Sequence, residues 1–128
     1  MSGERKPVGP RLSTVVGERD RPRADTRAVS DIADLTRRMR HFTEARDWAR
    51  FHDPKSLALA LVGEVGELAE LLQWLQHEEQ VAAVREQPLQ SRLGEEMADV
   101  LLYLLRLADV VGVDLAQAAM DKLRVNEE

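Results

Sequence analysis

The 128-residue chain contains no cysteine. Disulfides and thiolate metal sites are therefore excluded, and a reducing, cytoplasmic setting is the expectation. Aromatics are scarce: two Trp, two Phe and one Tyr. No run of about 18 apolar residues exists, so no membrane-spanning helix is expected. The N-terminus lacks an apolar core of signal-peptide length, so no secretory leader is expected. No alternating strand pattern appears anywhere, which leaves an all-α reading.

What is present is ordinary for a folded domain, with 44% hydrophobic and 32% charged residues. At this length one domain is the default. The formal net charge of −5 is unevenly spread. Residues 1–30 hold seven Lys/Arg against four Asp/Glu, whereas the rest hold eleven against nineteen. The acidic body is a poor candidate for gripping nucleic acid. It suits a cation, or a phosphate ligand that brings its own metal.

Residues 1–28 mix Gly, Pro and Arg with little periodicity and read as a flexible basic tail. Residues 29–128 form the helical domain. Ser30 is a candidate N-cap. Ile32, Leu35, Met39, Phe42, Ala45 and Trp48 then recur at steps of three and four, which predicts a first helix to about residue 50. Asp53 followed by Pro54 is a start signal for a second helix, predicted to run to about His77. Residues 78–90 suggest a short helical piece and a loop. A third helix begins near Leu89–Ser91, with Leu93, Met97, Val100, Leu101, Leu104, Ala108 and Val111 as its core face. Gly112 is placed to end it in the left-handed conformation. Asp114 caps a fourth helix carrying Leu115, Ala118, Ala119 and Leu123. The architecture expected is a four-helix bundle.

The stretch Leu57–Gln76 of the second helix organises the rest. It is apolar nearly all round, yet carries Glu64, Glu67 and Glu70 in one row. Carboxylates among apolar neighbours are costly unless a cation meets them. A second acidic cluster, Glu95, Glu96 and Asp99, precedes the run VLLYLL. Glu96 and Asp99 repeat the step of three seen at Glu64 and Glu67. Two such helices could close four carboxylates around a metal ion. A solvated acidic face is the rival reading, but this helix has no wide polar face. All candidate ligands are oxygens, which favours Mg²⁺, Mn²⁺ or Ca²⁺. A di-iron centre would want Glu-x-x-His, and none of His41, His52 and His77 has Glu three residues before it. Mg²⁺ commonly binds through carboxylates plus substrate phosphates, which points to a phosphate ester or anhydride. The surplus apolar surface of this helix also predicts an oligomer.

Tyr103 lies four residues after Asp99 and can face the same site. Trp74 lies seven residues after Glu67, two turns along the same face of a continuous helix, where a base could stack. Core packing is the alternative for both Trp48 and Trp74. His41 and His52 read as surface or capping residues. Lys55 and Lys122 could neutralise phosphates or stand as solvated charges.

The pair of motifs Glu64-x-x-Glu67 and Glu96-x-x-Asp99, about thirty residues apart, resembles the MazG-type all-α nucleoside triphosphate pyrophosphohydrolases. The surrounding RDW, FHDPK, Gln73-Trp74 and EEMADVLLYLL resemble the small dCTP pyrophosphatase branch. The resemblance covers about residues 31–126. It implies Mg²⁺-dependent hydrolysis of a nucleoside triphosphate to the monophosphate and pyrophosphate, with Mn²⁺ a possible substitute. A pyrimidine deoxynucleotide such as dCTP, cleared from the nucleotide pool, is the implied substrate. The metal ligands implied are Glu64, Glu67, Glu96 and Asp99. Glu95 or one of these four would take the proton of the attacking water. The aromatic residues Trp48 and Trp74 would hold the base in a pocket at a subunit interface of a homodimer or homotetramer. Lys122 and Asn126 match the element that reaches the phosphates. Phe42 and Tyr103 complete the candidate nucleotide-binding set.

Two departures stand out. Ser56 occupies a position where relatives commonly carry Asn. Relatives continue beyond Asn126 with Arg and often Tyr-Pro, where this sequence reads Glu127-Glu128. A phosphate-binding cation is missing at that position, with three expected explanations: a truncated sequence, a weakened activity, or compensation by the N-terminal tail. The rival function is therefore a helical oligomer that binds nucleotide or a protein partner without turnover.

Overall fold

The computed structural model describes residues 31–128. The tail expected over residues 1–28 and the cap expected at Ser30 lie outside the described residues. Within them the chain is helical, with no strand. The helices are α1 (Asp31–Ala45), α2 (Pro54–Glu70), α3 (His77–Ala83), α4 (Leu89–Val111) and α5 (Leu115–Glu127), with a 3-10 turn at Ala49–Phe51. α4 is the hub: α2 packs along it, α1 lies against it as well, and α5 leans on α1. α3 is the short piece foreseen between the second and third long helices. None of the helices is long and apolar enough to cross a membrane.

Local chemistry sets most of the boundaries. Asp53 accepts a hydrogen bond from the Ser56 backbone N–H, and Pro54 opens α2 behind it. Asp114 caps α5 in the same way through the Gln117 N–H. Each cap satisfies a donor that the first helical turn leaves unpaired. Gly112 ends α4 at φ 76°, the left-handed value that costs glycine least.

Two helix ends differ from the periodicity. α1 stops at Ala45, short of residue 50, because Asp47 adopts φ 55° and turns the chain back. Trp48 therefore stands beyond the helix and starts the 3-10 turn. α2 stops at Glu70, well before His77. Its last hydrogen bonds tighten to Leu71 N to Leu68 O, Leu72 N to Ala69 O and Leu75 N to Leu72 O. No Gly or Pro lies between residues 67 and 87 to announce that stop. Trp74 accordingly belongs to the turn after α2, and the face it was expected to share with Glu67 does not extend that far.

The core is built on Met39 of α1, Leu57 of α2 and Tyr103 of α4. Phe42, Trp48, Ala60, Leu61, Leu102 and Leu107 pack around them. Leu105 is fully enclosed as well. The face of α4 that meets α1 and α2 is rotated from the expected one. It presents Asp99, Tyr103 and Arg106, all buried, beside Ala108, which was expected on the core face and is buried there. Met97 and Val111 from the expected stripe are 58% and 49% exposed. α4 is apolar on two sides, and periodicity alone could not say which side the neighbouring helices would take.

Candidate metal and nucleotide site

Glu64 sits mid-way along α2, and Glu96 and Asp99 sit one helical turn apart on α4. Because α2 and α4 pack along each other, the three side chains converge. One carboxylate oxygen from each lies within 4.8 Å of the other two. Glu64 and Asp99 are buried, and Glu96 is half-buried. Glu67 stands beside this group and hydrogen-bonds with Glu64. It is not one of the three oxygens that meet most closely. Glu95, on α4, and Glu70, at the end of α2, are exposed.

Crowding shows in the electrostatics. Glu64 is pushed up to about 7, first by burial, then by the charges of Glu67, Asp99 and Glu96 and by the hydrogen bond to Glu67. Its Oε2 is buried without a hydrogen-bond partner. Such an orphaned acceptor among like charges is costly by itself. A hard divalent cation would satisfy it, and the all-oxygen donor set fits Mg²⁺, Mn²⁺ or Ca²⁺. Tyr103 lies against the same group: burial raises its hydroxyl, followed by the charges of Glu64, Asp99 and Glu67.

The aromatic candidates divide. Phe42 and Trp48 meet edge to face, with centroids 5.4 Å apart and planes at 73°. Both pack on the Met39–Leu57–Tyr103 cluster, whose Tyr103 feels the charges of Glu64, Asp99 and Glu67. The Arg46 guanidinium lies 3.6 Å above the Phe42 ring and 5.9 Å from that of Trp48. Trp74 is 84% exposed and makes no ring contact among the described residues. Lys122, Asn126 and Lys55 are exposed, and α5 reaches chiefly α1. Ser56 donates its hydroxyl to Asp53 Oδ1 and serves the start of α2.

Within this fold a family model for the MazG nucleotide pyrophosphohydrolase domain matches residues 52–126, more than half of the chain. The chain belongs to the MazG family. This MazG chain is 45% identical over 95 residues to dCTP pyrophosphatase 1 of Bos taurus, covering 74% of the chain and 56% of the bovine protein. It is 44% identical over 95 residues to dCTP pyrophosphatase 1 of Homo sapiens, again covering 74% and 56%. The MazG chain thus spans little more than half the length of these relatives. The crystal structure of a pyrophosphatase from Archaeoglobus fulgidus superposes with a TM-score of 0.71 at 33% identity, covering 79% of this chain and 93% of that one.

One cluster of this MazG domain escaped the sequence reading. Arg106 Nε donates to His52 Nδ1 at 3.1 Å, and Arg106 Nη1 pairs with Asp109 Oδ2 at 3.2 Å. Asp109 also accepts from Arg40 Nε at 2.9 Å. The chain of contacts ties α1, the 52–53 junction and α4 together. Of the two positions expected for His52, surface or cap, the structure gives the cap: it is buried and ends the 3-10 turn, its backbone N–H donating to Ala49 O. Burial, then the Arg106 charge, lowers His52 and keeps it neutral as the acceptor. Arg40 holds Asp109 below the usual carboxylate range. A signal existed: Arg106 is a lone cation inside LLYLLRLADVV, and a buried cation needs a partner.

Proposed function

We propose that this chain is a Mg²⁺-dependent nucleoside triphosphate pyrophosphohydrolase. It would convert dCTP, or a related or modified pyrimidine deoxynucleotide, and water to the monophosphate and pyrophosphate, and so clear the nucleotide pool. The observation that carries the reading is the buried group of Glu64, Glu96 and Asp99, with Glu64 Oε2 unsatisfied. Membership of the MazG family and likeness to proteins named dCTP pyrophosphatase support the reaction and the substrate.

In this reading Glu64, Glu96 and Asp99 hold Mg²⁺, or Mn²⁺ in its place, with Glu67 beside them. Bound there, the ion supplies polarisation of phosphoryl oxygens, neutralisation of the leaving pyrophosphate and a lowered pKa for the attacking water. The proton of that water passes to a carboxylate of the cluster. Glu95, exposed on α4, is the alternative acceptor of that proton. Phe42 and Trp48 offer the stacking wall for the base, and Tyr103 closes the floor between wall and carboxylates. Trp74, Lys122 and Asn126 stand exposed on a single chain. Their part in nucleotide binding requires a second copy that brings them to a site, as in a homodimer or homotetramer. The cysteine-free chain suits the cytoplasm.

The test is a screen of nucleoside triphosphates with and without Mg²⁺, with the released product identified. Pyrophosphate release, highest on dCTP or a close pyrimidine analogue, is expected. Release of inorganic phosphate instead, or nucleotide binding with no turnover, would refute the assignment.

A further inference from the structure

The corner Arg46-Asp47-Trp48 does more than end a helix. The Trp48 N–H donates to Thr43 O at 3.0 Å and the Asp47 N–H to Glu44 O at 3.1 Å. These are the 6→1 and 5→2 hydrogen bonds of a helix C-cap whose pivot residue is left-handed. α4 ends on the same pair, Val113 N to Ala108 O and Gly112 N to Asp109 O. There the pivot is glycine at φ 76°. At the end of α1 the pivot is Asp47 at φ 55°, among the described residues the one non-glycine with positive φ. This motif brings the residue after the pivot onto the last turn of the helix. Here those residues are Trp48 and Phe42, and they form the 5.4 Å edge-to-face pair. Arg46 closes the corner from above, donating from Nη1 to Phe42 O at 3.3 Å while its guanidinium covers the Phe42 ring.

We infer that Asp47 is a positioning residue for the base pocket: its left-handed backbone sets Trp48 against Phe42 and so pre-forms the stacking wall. The inference rests on the reading that Phe42 and Trp48 receive the base. Asp and Asn tolerate this conformation better than other non-glycine residues, and β-branched residues tolerate it least. Among the described residues the Asp47 carboxylate pairs with Arg50, at 3.5 Å and with both side chains exposed. Its charge is therefore dispensable, and its backbone preference is what matters.

The experiment measures affinity for a non-hydrolysable dCTP analogue in Mg²⁺ for the full chain and for Asp47→Gly, Asp47→Asn, Asp47→Val and Trp48→Ala. Helicity by circular dichroism and Mn²⁺ affinity are recorded for each. Trp48→Ala is expected to weaken binding about ten-fold or more, the scale of one lost base stack. Asp47→Gly and Asp47→Asn should bind within about two-fold of the wild type, and Asp47→Val about five-fold or more weaker. Helicity and Mn²⁺ affinity should not change. If Asp47→Val fails to fold, Asp47→Ala takes its place and should lie between Gly and Val. Wild-type affinity in the Val or Ala variant, with Trp48→Ala weakened, overturns the inference alone. Asp47→Asn as weak as Asp47→Val would transfer the role to the charge and also overturn it. Wild-type affinity in Trp48→Ala overturns the base reading and this inference with it.

Discussion

Glu64 is where the costs of the fold concentrate. Its acid is raised from the ordinary 4.5 to about 7 in the metal-free chain. A raised carboxyl binds its proton more tightly in the folded state than in the unfolded one. Below pH 4.5 both states hold the proton and the group is neutral to stability. Between about 4.5 and 7 the unfolded chain ionises first, so stability falls as pH rises, and above that window the loss is complete. The ceiling on this loss is roughly 3 kcal/mol for a shift of that size. Urea midpoints in EDTA at fixed protein concentration should therefore drop from pH 5 to pH 8, and Glu64→Gln should flatten the drop. Parallel pH profiles for wild type and variant would show that the crowding is relieved some other way. The glutamates at steps of three were legible in the sequence, and so was Asp99. The rank of Glu67, set apart from the closest three, was not. A step of three fixes a helix face, but which oxygens meet depends on how α2 and α4 cross.

Among elements, starts were easier to read than stops. Asp53-Pro54 and Asp114 announced α2 and α5 because a capping side chain and a proline act locally, and Gly112 announced the end of α4 for the same reason. Asp53→Ala should cost about 1 kcal/mol of stability with little effect on the site, measurable as a lowered urea midpoint. A loss well above 2 kcal/mol would mean that Asp53 holds more than the helix start. The stops of α1 and α2 were hidden. One uses Asp47 where glycine is usual. The other tightens its last bonds with no breaker residue in view. The misplaced end of α2 is what carried Trp74 onto the wrong face. The rotation of α4 had a different cause: its buried stripe contains Asp99 and Arg106, which a count of apolar positions passes over.

Across the molecule, the described residues of a single chain leave much apolar surface exposed. Leu59 and Val62 of α2 are 63% and 69% exposed, and Met97 and Leu101 of α4 are 58% and 36% exposed. Surfaces of this kind mark contact sites. Light scattering at micromolar concentration should give the mass of a dimer or tetramer, and a monomer at all accessible concentrations would contradict the assembly. Leu59→Glu together with Val62→Glu should shift the protein toward monomer. If Trp74 works across that interface, turnover should fall in the same variant.

The carboxylates of α2 and α4 are proposed to hold the divalent cation on which turnover depends. The most direct test is pyrophosphate release from dCTP as a function of Mg²⁺, for the wild type and for Asp99→Asn. The wild type should be silent in EDTA and should gain activity as Mg²⁺ is added. Asp99→Asn, folded and as helical as the wild type, should need at least about ten-fold more Mg²⁺ or show no turnover at any concentration, the loss expected for one charged ligand. Turnover in EDTA, or the same Mg²⁺ dependence in both proteins, would contradict the account.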